Sequence, residues 1–364
     1  MKKTILEIDL KALEHNFNVI SSKLRSQTKF MAVVKANGYG SDSAEIAKRL
    51  VSLGVDYFAV AFVSEGIALR KSGIKTPILV LLPQVESIKE IIKYDLEPSL
   101  YSFYFLENLI DYLNSKKIEK HPCHFKINTG LNRVGFNEKE SEKAINKIKN
   151  CNAIKLVSIY SHLAATDDSQ ESNFTISQIN LFKEISSNIK SQLSYSPILH
   201  MSNTSGIYNY PDCEFDMVRS GIGLYGYNNE LNKELRPVHT LKSIIAQIIE
   251  AKSGDSIGYN RAFFCEEQIR VGVIPLGHAD GISRAFSKNA YVVINNKKAK
   301  VIGNICMDVF MVNLNGIKSE EGDEVIIFDK ENNAEFFAKT VGTISYEILT
   351  NLSKRIERKF INKN

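Results

Sequence analysis

Lys35 stands between a nearly continuous apolar run, residues 30–34, and a glycine-rich segment, residues 37–40. Such a run predicts a strand buried on both faces, which would carry one amine at its C-terminal end. Burial lowers the pKa of an ammonium group, and the neutral amine can condense with an aldehyde. Glycines allow close backbone approach to a ligand, and the Tyr39 hydroxyl can bind an anion such as phosphate. The alternative is a structural lysine whose ammonium reaches solvent.

Polar side chains also follow several later strands, where a parallel barrel would gather them on one rim. Two turns rich in serine, threonine and glycine, residues 202–206 and 219–223, offer backbone N–H groups suited to a phosphate. A single histidine after a strand is more typical of a structural residue. Combined with a buried lysine, however, these turns point to pyridoxal 5'-phosphate as a cofactor. The rim residues are Lys35, Tyr39, Lys126, Arg133, His162, His200, Asn203, Thr204, Arg219, Gly221 and Ile222.

The elements that would position these residues alternate along the first part of the chain. Eight short apolar runs, separated by amphipathic segments, predict an α/β fold with a parallel (β/α)8 TIM-type barrel. A doubly wound open sheet is the competing interpretation, but no G-x-G-x-x-G turn follows the first run. The apolar runs are residues 30–34, 57–61, 78–82, 97–101, 123–127, 156–161, 198–201 and the segment from 217 toward 224.

A second pattern begins near residues 228–237. Short alternating runs with glycine turns, such as residues 243–251 and 324–328, predict a C-terminal mostly-β domain. We expect a final helix from residue 345 to about residue 359, with its basic residues in solvent. The predicted division is 1–233 for the barrel and 234–364 for the β domain. Before the barrel, a short strand at residues 4–8 precedes a helix capped by Asp9.

Composition excludes several classes of protein. The 364 residues are 44% hydrophobic, and 46 basic against 41 acidic residues give a mild, dispersed charge of +5, which does not indicate nucleic-acid binding. The five cysteines are odd in number and form no C-x-x-C pair, so we expect reduced thiols in a cytoplasmic protein and no metal site. No long apolar segment predicts a signal peptide or a membrane span.

Eight motifs occur in the order seen in alanine racemases, and the resemblance extends from about residue 7 to residue 360. It implies a barrel plus a β domain, assembled as a head-to-tail homodimer in which each β domain closes the partner's barrel mouth. The motifs are VKANGYG at 34–40, KINTG at 126–130 with Arg133, SH at 161–162, NT at 203–204, RSGIGLYG at 219–226, GY at 258–259, ICMD at 305–308 and GTISYE at 342–347.

The resemblance implies pyridoxal phosphate-dependent racemisation of L- and D-alanine, which supplies D-alanine for cell-wall peptidoglycan. Two residues would exchange the α-proton on opposite faces: Lys35, and Tyr259 from the second subunit. A phenol has an ordinary pKa near 10 and needs neighbours that favour its anion. By resemblance, His162 and Arg219 form that network with His200 behind them, and Arg219 faces the pyridine nitrogen.

Other roles follow from the same resemblance. Arg133 and the backbone of Met307 would bind the substrate carboxylate, and Asp308 would be a supporting residue of the site. Lys126 is carbamylated in many family members, which supplies an anion beside Arg133. The implied phosphate ligands are Tyr39, Thr204, Gly221, Ile222 and Tyr346. The implied substrate access corridor comprises Ala165, Asp167, His278, Arg284 and Asn304.

Two corridor positions depart from the common family pattern, since His278 replaces a tyrosine and Asn304 an arginine. A serine or broader-specificity racemase of the same fold is therefore an alternative, because one methylene or hydroxyl in a pocket changes binding by only about 1 to 3 kcal/mol. A decarboxylase of similar plan normally has a carboxylate at the pyridine nitrogen, where this chain offers Arg219. A cofactor-buffering barrel would resemble the first domain only.

Overall fold

The structure is a computed structural model that describes residues 4–227, 233–287 and 290–363. The described chain begins with strand β1 (Ile5–Asp9) and helix α1 (Leu10–Ser21). Asp9 caps α1 as predicted, because its carboxylate accepts the backbone N–H groups of Lys11 and Ala12 at 3.0 and 3.1 Å. The apolar face of α1 is buried, which anchors the start of the chain on the barrel.

In the described part of the chain, eight parallel strands close into a barrel, in which the last strand pairs back onto the first. Each predicted run forms one strand, and the predicted fold class is confirmed. The strands are β2 (Lys29–Val33), β3 (Tyr57–Val60), β4 (Ile78–Val80), β5 (Glu97–Leu100), β6 (His121–Lys126), β7 (Ile154–Tyr160), β8 (Ile198–His200) and β9 (Met217–Ser220). The segments between them form α2 (Lys35–Tyr39), α3 (Ser43–Ser52), α4 (Val63–Lys71), α5 (Ile88–Lys93), α6 (Phe103–Ser115), α7 (Glu138–Lys149), α8 (Ser172–Ser191) and α9 (Thr204–Asn209).

The barrel interior is packed rather than hollow. Met31, Ala59, Leu79, Tyr160 and Met217 form a buried cluster inside it, separate from the larger core between strands and helices. Side chains from different strands therefore meet in layers, as is usual for this architecture. This packing leaves the C-terminal ends of the strands as the place where polar groups can converge.

A nine-stranded sheet forms most of the rest of the described molecule. It contains β1 together with β10 (His239–Ile244), β11 (Gln247–Ala251), β14 (Ile269–Ile274), β15 (Tyr291–Ile294), β16 (Lys297–Ile302), β17 (Phe310–Asn313), β18 (Glu324–Phe328) and β19 (Glu357–Ile361). The strand order is β11-β14-β17-β16-β15-β18-β10-β1-β19. A small hairpin, β12 (Ser256–Ile257) with β13 (Phe263–Phe264), and helices α10 (Ala334–Lys339) and α11 (Ser345–Thr350) complete it.

The predicted terminal helix, from residue 345 to about residue 359, is wrong beyond residue 350. The helix α11 ends at Thr350, and β19 pairs in parallel with β1 instead. Pairing with the free edge of β1 overrides the local helical pattern, because a strand's preference depends on its neighbours. Arg358 is also not solvated as expected: its guanidinium donates to the carbonyl oxygens of Gly40 at 3.0 Å and Leu352 at 2.9 Å.

Two further boundaries differ from the sequence patterns. The predicted run at residues 243–251 is two strands, β10 and β11, because the chain leaves one part of the sheet at Ile245 and Ala246 and enters another. The first strand, β1, joins the C-terminal sheet rather than the barrel. The division after residue 233 stays a prediction, and residues 228–232 just before it lie outside the described residues.

Within the described ranges, every helix is too short or too polar to cross a lipid bilayer.

Gly40 should be far less tolerant of substitution than another glycine of similar backbone conformation. Its φ is +81°, and an added Cβ would lie 2.1 Å from the carbonyl oxygen of Leu349 in α11. Gly54 has a φ of +89° and no atom within 4 Å of an added Cβ. We expect Gly54→Ala to cost about 1 kcal/mol, the left-handed penalty alone, and Gly40→Ala to cost at least about 3 kcal/mol. Denaturant unfolding of both variants measures this difference, and equal losses would contradict it.

Candidate active site

The segment that carries Lys35 is a left-handed turn at the end of β2. Ala36, Asn37, Gly38 and Tyr39 have φ values between +51° and +64°. Non-glycine residues in this region each cost on the order of 1 kcal/mol, so the surrounding structure must hold the turn. The sequence correctly indicated a glycine-rich turn here, but its left-handed sense over four residues was not predicted.

Glu65 provides much of the stabilisation of this left-handed turn. Its Oε1 accepts the Ala36 N–H at 2.5 Å, and its Oε2 accepts the N–H groups of Ala61 and Phe62 at 2.7 and 3.0 Å. One carboxylate therefore ties the Lys35 turn to the junction between β3 and α4. Sequence reasoning missed this residue, because a glutamate in the first turn of a helix is typical of a local cap.

The Lys35 amine sits in an environment that favours its neutral form. Its side chain is half-buried and lines the cavity at the barrel mouth. Burial lowers the pKa of Lys35, the positive charge of Arg133 lowers it further, and Glu65 partly opposes both. A larger fraction of the amine is thus unprotonated at neutral pH than in a solvated lysine.

All ten residues predicted to bind the cofactor line a single cavity of about 490 Å³ at this mouth. Lys126 lines it too, whereas the predicted supporting residue His200 lies behind it, fully buried. The volume falls in the range of small-ligand pockets. The ten residues are Lys35, Tyr39, Arg133, His162, Asn203, Thr204, Arg219, Gly221, Ile222 and Tyr346.

One end of the cavity is formed by hydroxyl and backbone groups. A Cβ added at Gly221 would lie 2.2 Å from the Tyr39 hydroxyl, so this hydroxyl rests directly against the backbone. Burial raises the pKa of Tyr39, which keeps its phenol protonated and able to donate. Thr204 Oγ1 lies 3.0 Å from Ser220 Oγ, and Asn203 Oδ1 accepts the Gly206 N–H at 2.9 Å. Asn203 thus caps the following helix, and the hydroxyls of Tyr39 and Thr204 are the donors that suit a phosphate.

Arg219 is buried and bonded to several acceptors at once. It donates to His200 Nδ1 at 2.6 Å, to His162 Nδ1 at 3.0 Å, and to the carbonyl oxygens of Ser161 and Met201 at 2.7 and 3.0 Å. Burial lowers the pKa of Arg219 to about 10, so it remains a cation at neutral pH. Burial and the charge of Arg219 hold the pKa of both histidines well below the usual range. Both imidazoles are therefore neutral.

Lys126 is a buried lysine in the wall of the cavity. Its amine lies 4.6 Å from the centre of the Tyr160 ring, and burial together with Arg219 and Arg133 holds its pKa well below the usual range. None of the described residues that line the cavity is an aspartate or a glutamate. The cavity is therefore strongly electropositive and suited to an anionic ligand. Tyr160, which the sequence reasoning did not single out, forms its floor.

The residues predicted from the β domain lie elsewhere. Tyr259 is 69% exposed and Met307 58% exposed, and both line a separate surface cavity of about 910 Å³ with Asp308. Arg355 binds Asp308 at 2.8 Å and the buried Asp280 at 2.5 Å, which fixes the segment after Met307. In the described ranges, the barrel cavity thus lacks both residues within its own chain.

The predicted corridor residues divide between the same two regions. Asp167 lines a smaller cavity of about 330 Å³ that shares Arg133, His162 and Tyr346 with the main one, and Ala165 lies two residues before it. In the β domain, the backbone of His278 donates to Cys306 at 3.0 Å and Asn304 Nδ2 donates to the Tyr259 carbonyl at 3.0 Å. Arg284 is exposed. One chain alone therefore does not assemble this corridor.

A parallel barrel with an amine among anion-binding groups at its mouth, followed by a β domain, defines a class of two-domain barrel enzymes. Family models place the chain within that class. The model described as alanine racemase, N-terminal domain, matches residues 8–229, and that of the C-terminal domain matches residues 238–360. The chain belongs to the alanine racemase family, which confirms the resemblance inferred from the motifs. Members of this family depend on pyridoxal phosphate.

Individual relatives agree over nearly the whole chain. The alanine racemase of Thermodesulfovibrio yellowstonii is 36% identical, with 98% of this chain and 97% of the relative covered. Alanine racemase 1 of Clostridium acetobutylicum is 34% identical, with 98% and 94% covered. The solved structure of alanine racemase from Clostridium difficile 630 has a TM-score of 0.94 at 34% identity, with 100% and 97% covered.

Proposed function

We propose that this chain catalyses the pyridoxal phosphate-dependent interconversion of L- and D-alanine and supplies D-alanine for peptidoglycan. The observation that carries the proposal is the match of both domains to one family of racemases. The cavity supports it independently. Its volume is about 490 Å³, and its lining includes an amine of lowered pKa and hydroxyl groups that can donate hydrogen bonds to a phosphate. A cofactor-buffering barrel explains the structure less well, because it would not need the second domain.

The residues of the cavity fit the cofactor. Lys35 would bond to its aldehyde carbon; Tyr39, Thr204 and the backbone at Gly221 and Ile222 would bind its phosphate. Tyr346 completes this end, since its ring lies 5.9 Å from that of Tyr39. When bound, pyridoxal phosphate withdraws electrons from the α-carbon of an amino acid and makes its proton removable.

Two proton carriers are needed, one on each face of the α-carbon. Lys35 serves one face, because its lowered pKa allows the amine to accept a proton. Tyr259 of a second copy of this chain serves the other. Its 69% exposure and its position away from its own barrel cavity support a head-to-tail homodimer with shared sites. Met307 and Asp308 would arrive with it, and Met307 would meet the substrate carboxylate opposite Arg133.

Two neutral histidines, His162 at the cavity wall and the buried His200 behind it, explain how a tyrosine can act as a base. His162 Nδ1 accepts a hydrogen bond from Arg219, so the proton of this neutral ring is on Nε2. That N–H can donate to the oxygen of an incoming Tyr259 and favour its anion. Arg219, which stays charged, adds electrostatic support from behind. The same guanidinium would face the pyridine nitrogen and keep it unprotonated.

Lys35→Ala should abolish racemisation of alanine, with a loss of at least about 10³-fold, and also the visible absorbance of lysine-bound cofactor. Lys29→Ala is the matched control, because Lys29 lies at the opposite end of β2 and pairs with Asp56 at 3.6 Å on the surface. Chiral chromatography measures D-alanine formed from L-alanine. A panel including L-serine tests broader specificity, and faster turnover of serine than of alanine would replace the proposed substrate.

Mixing Lys35→Ala and Tyr259→Phe chains should restore activity if sites are shared. In a head-to-tail heterodimer, one of the two sites receives both an intact lysine and an intact tyrosine. Random pairing of equal amounts makes half the dimers mixed, so about a quarter of all sites should be active. Native mass spectrometry would verify subunit exchange. If exchange occurs without recovery, each chain supplies its own tyrosine.

Lys126 is proposed to bind carbon dioxide as a carbamate, releasing one proton. Its low pKa favours the neutral amine that this addition requires, and the carbamate would offset the charges of Arg133 and Arg219. With ¹³C-labelled bicarbonate, we expect a carbamate carbon resonance that Lys126→Ala removes and Lys155→Ala, at an exposed position on β7, retains. If depletion of carbon dioxide changes neither spectrum nor rate, Lys126 acts as the free amine.

A further inference from the structure

A continuous chain of hydrogen bonds runs from Arg219 through the interior of the barrel to Glu97. From the guanidinium it passes to His200 at 2.6 Å and from His200 Nε2 to Ser158 Oγ at 2.9 Å. It continues from Ser158 Oγ to His124 Nδ1 at 2.6 Å and from His124 Nε2 to Glu97 Oε2 at 2.8 Å. The five residues come from the five consecutive strands β9, β8, β7, β6 and β5.

This chain is shielded from water over nearly its whole length. His124, Ser158 and His200 are completely buried, Arg219 is 4% exposed, and only 12% of the Glu97 side chain is accessible. A hydrogen bond in such surroundings has no solvent competitor, and a missing partner is costly. We therefore expect each link to constrain the next.

Chemistry allows only one direction for the protons along this chain. A guanidinium has no acceptor, so His200 Nδ1 accepts and the proton of this neutral ring is on Nε2. That N–H must donate to Ser158 Oγ, which leaves the single hydroxyl proton to donate to His124 Nδ1. His124 then donates through Nε2 to the carboxylate of Glu97. The chain thus begins at a cation and ends at an anion.

We propose that Glu97, His124 and Ser158 are positioning residues that hold His200 in its Nε2–H form, so that His200 always presents an acceptor to Arg219. Tyr160 already fixes the plane of the His200 ring by stacking on it at 4.9 Å, so the three residues are needed for the proton position rather than for the ring position. Their importance for turnover rests on the proposed function, in which Arg219 meets the cofactor. The inference about the tautomer of His200 does not depend on that function.

The physical reason is the cost of the wrong tautomer. If the proton moved to Nδ1, His200 would direct an N–H at the guanidinium, and two donors would face each other at 2.6 Å. Arg219 would then have to turn toward its remaining acceptors, the carbonyls of Ser161 and Met201 and the ring of His162. A rotated guanidinium would alter both the cavity wall and the support of His162.

The test is ¹⁵N NMR of histidine-labelled full-length protein, which distinguishes protonated from unprotonated ring nitrogens. The chain contains seven histidines, and the absence of one signal set in His200→Gln assigns His200. We expect a single Nε2–H form in the wild type. Ser158→Ala and Glu97→Leu each remove an acceptor from the chain, so either tautomer of His200 then leaves one buried N–H without an acceptor. Both variants should therefore give mixed tautomers and reduce kcat for alanine about 10-fold or more, with KM changed less.

Conservative variants and a control separate the proton position from general damage. Ser158→Thr keeps the hydroxyl and Glu97→Gln keeps an acceptor oxygen, so both should retain the wild-type tautomer. Ser186→Ala removes another buried hydroxyl, in α8, whose bond is to the Lys183 carbonyl, and should leave the His200 signals unchanged.

A pure Nε2–H signal in both Ser158→Ala and Glu97→Leu would overturn the proposal, and either variant can decide the question if the other fails to fold. If the wild type does not racemise alanine but its tautomer shifts in these variants, the proposed function fails and the positioning role stands.

Discussion

Positive charge concentrated in the cavity at the barrel mouth is the constraint on which the rest of this structure depends. Lys35, Lys126, Arg133 and Arg219 share the barrel mouth, and its described lining residues include no carboxylate. Burial, together with the charges of Arg133 and Arg219, lowers the pKa of both lysines and keeps His162 and His200 neutral. The cavity therefore suits a phosphate and a carboxylate. The neutral rings of His162 and His200 can accept hydrogen bonds from Arg219, whereas protonated rings would repel it.

Carboxylates are present, but they are held behind the wall and used through hydrogen bonds. Glu65 binds three backbone N–H groups around the Lys35 turn, and Glu97 ends the chain of side chains that leads to Arg219. Each stabilises the geometry of a cationic residue without entering the cavity and neutralising it. A carboxylate inside the cavity would instead compete with an anionic ligand.

The nine-stranded sheet and the helix α11 also support the site. The strand β19 pairs with β1, and Arg358 on it binds the carbonyl of Gly40, directly after the Lys35 turn. The helix α11 packs so closely on Gly40 that a Cβ has no room there. The C-terminal end of the chain thus supports the lysine turn of its own barrel, while the loop that carries Tyr259 faces outward.

Local patterns in the sequence determined much of this protein. Alternation of apolar runs and amphipathic segments predicted all eight barrel strands, because this signal depends on nearby residues. The motifs predicted ten cofactor-binding residues, and all ten are among the residues that line one cavity. Only tertiary structure decided that residues 357–361 form a strand beside β1, that Glu65 binds the Lys35 turn, and that Glu97, His124 and Ser158 connect to Arg219. These contacts join residues distant in the chain, and no local spacing records which strand edge or buried acceptor each will meet.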